Sequence, residues 1–313
     1  MINVGIIGSL SAVNRHTNAL SKVQDIRIIS RWLSVGMQEF ALESDTGRHC
    51  SEPDYILEKV DALIITDAGT FCNRLAIAAL RNARHVFLYP SVVLSVNEVY
   101  HFTQLAREAN VILKCGRTGN TGIPGLLHSL PELNAISMIE LQHYNKISHT
   151  GKTYGTSEAL LGDMEIINRL IHARVISIKA KGLCMLSSQP EIINARLEFD
   201  NGCAVNYNCN LVAAQNEFLI TIVAKNKILK YNFITNEFTG WHLQRTENQN
   251  ESPIFIESIQ VEQTDSLYHD LSEFFSLIHS NPAFLSMNDN GFESYVLTDR
   301  ILDKVMKTLI QCA

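Results

Sequence analysis

The strongest constraint on this chain lies in its first 115 residues, where short, almost unbroken apolar runs alternate with stretches of helical period. The runs at 3–8, 26–30, 62–66, 85–89 and 111–115 read as strands. Between them, 12–23, 70–82 and 95–110 show the spacing of amphipathic helices, and Thr70 stands where a helix cap belongs. A strand that is apolar throughout must be covered on both faces, which is the situation of a parallel sheet with helices on either side. Strands and helices alternating through short connections predict a doubly wound α/β domain of Rossmann type.

After Gly116 the pattern changes. Residues 117–125 are rich in turn formers and predict a hinge, with one domain over 1–118 and a second over 119–313. Strands at 136–144, 174–184, 191–199, 203–211, 217–224, 227–234 and 254–261 follow one another with one helix, 156–172, among them. Asn201-Gly202 supplies the positive φ of a hairpin turn, and 224–227 reads as a second tight turn. These elements predict an α+β domain built on an open, largely antiparallel sheet. Two closing helices, 267–280 and 290–310, are expected to pack near the hinge. The sheet is expected to keep an apolar face free of helix, carrying Ile192, Leu197, Phe199, Val205, Tyr207, Cys209, Leu219 and Ile222. Such a face predicts a homodimer or tetramer.

Composition narrows the function classes. Hydrophobic residues at 46% and charged residues at 19% exclude a disordered chain. Mean hydropathy is +0.03, and no apolar run reaches the ~20 residues of a bilayer crossing. A net charge of −6 without a Lys/Arg cluster argues against nucleic acid and anionic membranes as partners. The start of the chain lacks the basic segment of a signal peptide. Seven scattered cysteines, none in a C-x-x-C pair, read as reduced thiols rather than metal ligands or disulfides. These features predict a cytoplasmic protein without a metal site.

Several segments, in order, resemble the Gfo/Idh/MocA oxidoreductases, the family of glucose-fructose oxidoreductase and inositol dehydrogenase. They are Val4-Gly5-Ile6-Ile7-Gly8 with His16 and Ala19-Leu20 behind it, residues 60–66 followed by 75–80, residues 84–90 where the family has K-H-V-x-x-E-K-P, and 105–111 with Cys115-Gly116. The resemblance spans essentially the whole chain. It implies a nicotinamide nucleotide at the first strand-helix turn, with Gly8, Ser9, Leu10, Ser11, Arg31, Thr66 and Pro90 as the cofactor-binding positions.

At the positions that carry the chemistry, this sequence departs from the family. The nucleotide loop G-x-G-x-x-G keeps only Gly8; Leu10 and Val13 replace the other two glycines, which admit the pyrophosphate and close helix packing. Where an acidic residue would grip a ribose hydroxyl stands Arg31, which suits a 2′-phosphate and so favours NADP over NAD, or else is a surface guanidinium stacked on Trp32. Tyr89 replaces the lysine of E-K-P, as a phenol able to donate a proton or as a packing residue. In the family's helical motif D-x-G-x-H-x-x-D, Gly162 takes the histidine's place and Glu165 that of the final acid, and His172 lies too far along to substitute. Tyr89 and Glu165 are the candidate catalytic residues. His143, His149, Lys152 and Tyr154 form a further polar group suited to an acidic or sugar-like ligand.

Two functions follow. One is a degenerate member that lacks ordinary dehydrogenase activity, binds no nucleotide or binds it weakly, and serves as a ligand-binding or partner protein. The other is a working NAD(P)-dependent oxidoreductase on a small hydroxylated substrate, using atypical residues.

Overall fold

The alternation over the first 115 residues produces the sheet it predicts. The computed structural model describes residues 1–34, 40–42, 45–50, 57–66, 70–89, 95–116, 136–147, 155–225, 227–243, 254–260, 265–280 and 290–311. Packing divides the chain into two units, 1–119 with 265–292 and 120–264 with 293–313.

In the first unit, β1 (Ile2–Gly8), β2 (Ile26–Ser34), β5 (Ala62–Ile65), β6 (His85–Leu88) and β7 (Leu113–Cys115) run parallel. Two short antiparallel strands that the sequence did not announce, β3 (Phe40–Leu42) and β4 (Asp45–Cys50), extend the edge at β2. The spatial order is β4-β3-β2-β1-β5-β6-β7, so the chain reverses direction across the sheet at β1. Helices α1 (Leu10–Leu20), α2 (Thr70–Arg81) and α3 (Val96–Ala109) form the crossovers.

Strand alternation divides the apolar residues between two cores. Val4, Ile6, Ala62, Ile64 and Phe87 pack with Val13, Ala19 and Leu20 of α1 and with Leu267, Leu271, Phe274 and Phe275 of α5 (Ser266–His279). Leu63, Ile65, Val86 and Leu88 on the opposite pleat are also buried, as strands covered on both sides require. Helix α3 begins with a capping box, Ser95 Oγ accepting from the Glu98 amide and Glu98 Oε2 from the Ser95 amide, and ends at Asn110 in the left-handed region.

The second unit carries β8 (Ile136–Lys146), α4 (Thr156–Leu170), β9 (Val175–Cys184), β10 (Ile192–Phe199), β11 (Ala204–Ala213), β12 (Glu217–Ala224), β13 (Lys227–Asn232), β14 (Glu237–Leu243), β15 (Ile254–Gln260), α6 (Asn290–Lys307) and β16 (Ile310–Gln311). Its sheet runs β15-β14-β13-β12-β8-β11-β10-β9-β16. It is antiparallel except for β8 with β11 and β16 with β9. The β10–β11 hairpin turns through Gly202 at φ 85°, and Asn201 Oδ1 accepts from the Cys203 amide. Strand β14 escaped the sequence reading because Gly240 interrupts its apolar run, yet it pairs with β13 and β15 along its length.

The apolar face expected to stay open is the covered one. Leu197, Phe199, Val205, Tyr207, Cys209 and Ile222 are buried with Ala159, Leu160, Met164 and Ile167 of α4 and Leu297, Ile301 and Val305 of α6. Ile192 and Leu219 fall on the opposite pleat. That pleat also carries polar pairs, Asn194 bonded to Asn208 at 2.6 Å and Arg196 bonded to Asn206 at 2.9 Å. Alternation shows which residues share a face; which face the helices take depends on contacts distant in sequence.

Candidate functional site

In a doubly wound sheet, ligands bind beyond the carboxyl ends of the strands, where the strand order reverses. Here that place is the end of β1, flanked by β2 and β5. Gly8 ends β1 at φ 154°. Ser9 caps α1 in an extended conformation, without a side-chain bond to the helix, and its carbonyl accepts from the Val13 amide. The first amides of α1 therefore have no side-chain cap, a geometry suited to an anion.

The replaced glycines have different consequences. Val13 is fully buried in the α1 core, so its side chain adds packing worth about 1.5–3 kcal/mol. Leu10, the first helical residue, is 55% exposed, placing an isobutyl group where the family has a hydrogen. Ser11 beside it is exposed.

Thr66 is committed to the fold. Its hydroxyl and amide both donate to the Ile7 carbonyl, at 3.0 and 2.9 Å, tying β5 to β1. Arg31, half-buried, pairs in register with Ile6, and Trp32 pairs with Ile7 and is buried. Strand alternation sends successive side chains to opposite faces. Pro90 lies outside the described residues.

Tyr89 follows β6, its amide donating to the Ile65 carbonyl at 2.8 Å. Its hydroxyl accepts from Arg15 Nη1 at 3.0 Å, and its ring meets His16 edge-on at 4.8 Å. His16 is fully buried and donates from Nδ1 to the Ala12 carbonyl at 2.8 Å. Burial lowers its pKa to about 4, outweighing the upward pull of the Ala12 carbonyl, with Arg15 lowering it further. A neutral imidazole and a guanidinium thus hold the phenol where the family carries a lysine.

The α1 terminus, without a side-chain cap, has the chemistry to receive a phosphate, and Arg31 stands on the neighbouring strand β2. At the reacting end, among the described residues, Tyr89 itself carries no positive charge, and the charge beside it is that of Arg15, whose Nη1 donates to the phenol.

In the second unit, Gly162 is buried in α4 and offers no side chain. Glu165 is half-buried and forms an i,i+4 ion pair with Arg169 at 3.5 Å. His172 is exposed beyond the helix end. His149, Lys152 and Tyr154 lie outside the described residues.

The structure instead brings together a group that the sequence reading knew only by His143. His143 Nδ1 donates to Asp163, 2.8 Å from Oδ2 and 3.0 Å from Oδ1, and the Tyr207 hydroxyl donates to Oδ2 at 2.8 Å. Asp163 and Tyr207 are fully buried. The imidazole stacks on Phe218 with centroids 4.2 Å apart and planes 16° from parallel. Burial pulls the His143 pKa down, but the Asp163 charge and hydrogen bond, with the Asn145 side chain, raise it overall. Burial and the Asp163 charge push Tyr207 well above its ordinary range and Cys209 up to about 12.

Asp163 and Tyr207 were missed, although a signal existed. Asp163 interrupts the apolar stripe of Ala159, Leu160, Ile166 and Ile167, while Tyr207 shares the inward alternation of Val205 and Cys209. Among the described residues no group of three or more His, Cys, Asp or Glu side chains is arranged to hold a metal ion. Nor, among them, is any helix long and apolar enough to cross a membrane.

No family model and no curated protein matches the sequence. Solved structures match along nearly the whole chain. UDP-N-acetylglucosamine 3-dehydrogenase from Acidithiobacillus ferrooxidans is 14% identical with a TM-score of 0.79, covering 98% of both chains. Biliverdin reductase from Synechocystis sp. PCC 6803, in complex with biliverdin and NADP+, is 18% identical with a TM-score of 0.72, covering 97% of this chain and 99% of the other. An inositol dehydrogenase homolog from Azotobacter vinelandii, complexed with NADH and myo-inositol, is 14% identical with a TM-score of 0.73, covering 98% of this chain and 96% of the other. The chain has the fold of the Gfo/Idh/MocA-type oxidoreductases.

Proposed function

We propose that this protein is a degenerate Gfo/Idh/MocA-type oxidoreductase homologue, cytoplasmic, that lacks ordinary dehydrogenase activity and acts as a ligand-binding or partner protein. The observation that carries this reading is Gly162, buried in α4 at the place where the family resemblance puts the acid/base histidine. Tyr89 adds to it, because its hydroxyl already accepts from Arg15 and it brings no positive charge. When bound, a nicotinamide nucleotide supplies hydride chemistry. Ser9, Leu10 and Ser11 at the α1 terminus, with Gly8 and Arg31, are the residues that would hold it, and Arg31 favours NADP over NAD.

The test is to titrate the purified protein into NADPH and into NADH while following nicotinamide fluorescence, then to assay turnover with sugars and polyols. Weak binding, tighter for NADPH, with no substrate-dependent turnover is the expected result. Nucleotide reduction that depends on a polyol overturns the reading.

A second reading is a working NAD(P)-dependent oxidoreductase on a small hydroxylated substrate, with Tyr89 and Glu165 in atypical roles. It is supported by the near-complete match to chains solved with NADP+ and with NADH. Under either reading the sheet face opposite α4 and α6 is the surface for a homodimer or tetramer. The support for this is a nine-stranded sheet that, among the described residues, buries one face under α4 and α6 and keeps Asn194 and Arg196 of the other exposed. Light scattering that shows a monomer at micromolar concentration overturns it.

A further inference from the structure

The first unit carries a charge that neither reading above uses, the guanidinium of Arg15. We propose that Arg15 of α1 and Tyr89 after β6 together bind the carboxylate of a small molecule, one oxygen accepting from the guanidinium and the other from the phenol O–H. This deepens the ligand-binding reading and rests on it.

The bonding of the pair is one-sided. Arg15 Nη1 donates to the Tyr89 hydroxyl at 3.0 Å, which occupies a lone pair of the phenol oxygen and leaves its proton. Among the described residues that proton meets no acceptor, and Arg15 meets no carboxylate. A guanidinium has donors only. N–H and O–H groups thus stand side by side with nothing in the chain to receive them.

Both partners are held in advance. The peptide between Leu88 and Tyr89 is pinned from two sides, the Tyr89 amide donating to the Ile65 carbonyl at 2.8 Å and the Leu88 carbonyl accepting from the Gly116 amide at 2.6 Å. Val13 and His16, both fully buried, fix the face of α1 from which Arg15 departs, and the His16 ring meets the Tyr89 ring edge-on. The Arg15 guanidinium carbon lies 5.8 Å from the centroid of the same phenol ring. Groups oriented by the fold bind with little loss of rotamer freedom. The fold itself does not need the guanidinium, because Tyr89 is already held by its backbone and by His16, while Arg15 is exposed. The pair also stands just beyond the carboxyl end of β6, the end at which doubly wound sheets take their ligands.

Charge and shape select the ligand. Burial keeps His16 neutral, with its pKa lowered to about 4, so the charge of this cluster is that of Arg15 and is positive. An anion is drawn to it. The two oxygens of a carboxylate share a plane, as the guanidinium N–H groups do, and such charge-assisted bonds are the strong ones.

The test uses acetate as the probe, acetamide as its uncharged counterpart and inorganic phosphate as the rival anion. The Cζ signals of 13C-tyrosine-labelled protein are followed at pH 7, with Tyr89 assigned through Tyr89→Phe and exposed Tyr100 as internal reference. Acetate is expected to shift the Tyr89 signal saturably, with no such effect from acetamide and no tighter binding of phosphate. Arg15→Gln is expected to weaken acetate binding at least tenfold. Arg15→Lys, which keeps the charge and loses the planar fork, is expected to weaken it several-fold. Acetate shifts at Tyr89 no larger than at Tyr100, acetate binding unchanged in Arg15→Gln, or phosphate binding tighter than acetate overturn the proposal. Polyol-dependent turnover, which overturns the inactive reading, is read in a separate assay, so the two failures are distinguishable.

Discussion

Replacing Asp163 with alanine tests whether the His143–Asp163–Tyr207 group is the polar keystone of the second unit. The variant removes the acceptor for two donors at once, His143 Nδ1 and the Tyr207 hydroxyl, both 2.8 Å from Oδ2. Tyr207 is fully buried, and a buried hydroxyl without its acceptor costs about 1–3 kcal/mol. Loss of one partner from a buried ion pair costs about 3–5 kcal/mol in all, and the upper end is expected because both effects act together. Asp163→Asn keeps the volume and one acceptor oxygen, so it is expected to lose less than half as much. The two tryptophans, Trp32 and Trp241, lie in different units. Urea unfolding followed through Trp241 fluorescence in a Trp32→Phe background therefore reports the second unit alone. A loss below about 1 kcal/mol for Asp163→Ala, or an equal loss for Asp163→Asn, refutes the reasoning.

pH adds a signed corollary. The folded pKa of His143 is raised, so its contribution to stability is complete below the ordinary histidine value of about 6.5 and is lost as pH rises through the folded value. Wild-type stability should fall across that window, and the fall should be absent in His143→Gln; identical pH profiles refute the assignment.

Three further outcomes are expected. Leu10→Gly should tighten nucleotide binding several-fold by removing the exposed isobutyl group at the α1 terminus, and a fluorescence titration unchanged from wild type counts against a nucleotide at that place. Tyr89→Lys alone should not create polyol dehydrogenase activity, since Gly162 still supplies no acid/base group, and spectrophotometric turnover in that variant would sink the inactive reading. Gly182→Ala should destabilise the second unit by about 1–3 kcal/mol, because its Cβ would collide with the Val305 side chain of α6; Val305→Ala should relieve much of that cost, and simple additivity of the two would refute the contact.

Period and order in the sequence were enough to determine the two kinds of sheet. Val4, Ile6, Ile7 and the run at 62–66 are apolar on both pleats, and such a strand has no stable place except between two layers. The Asn201-Gly202 turn and the alternation of β10 and β11 likewise reflect local geometry, which is why the hairpin stands where it was expected. The departures at Leu10, Tyr89 and Gly162 were equally legible, since a missing glycine or lysine needs no coordinates to be seen. Neighbours distant along the chain were decided only by the tertiary structure. The face carrying Leu197, Val205 and Tyr207 is apolar in either environment, and α4 and α6 cover it, while Asn194, Asn206 and Asn208 lie on the opposite pleat. Asp163 looks like a flaw in an apolar stripe until β8 and β11 bring His143 and Tyr207 to it, 20 and 44 residues away in the chain. A side chain's period is set by its own backbone, but its hydrogen-bond partner is set by how whole elements pack, and that packing is where this site comes into being.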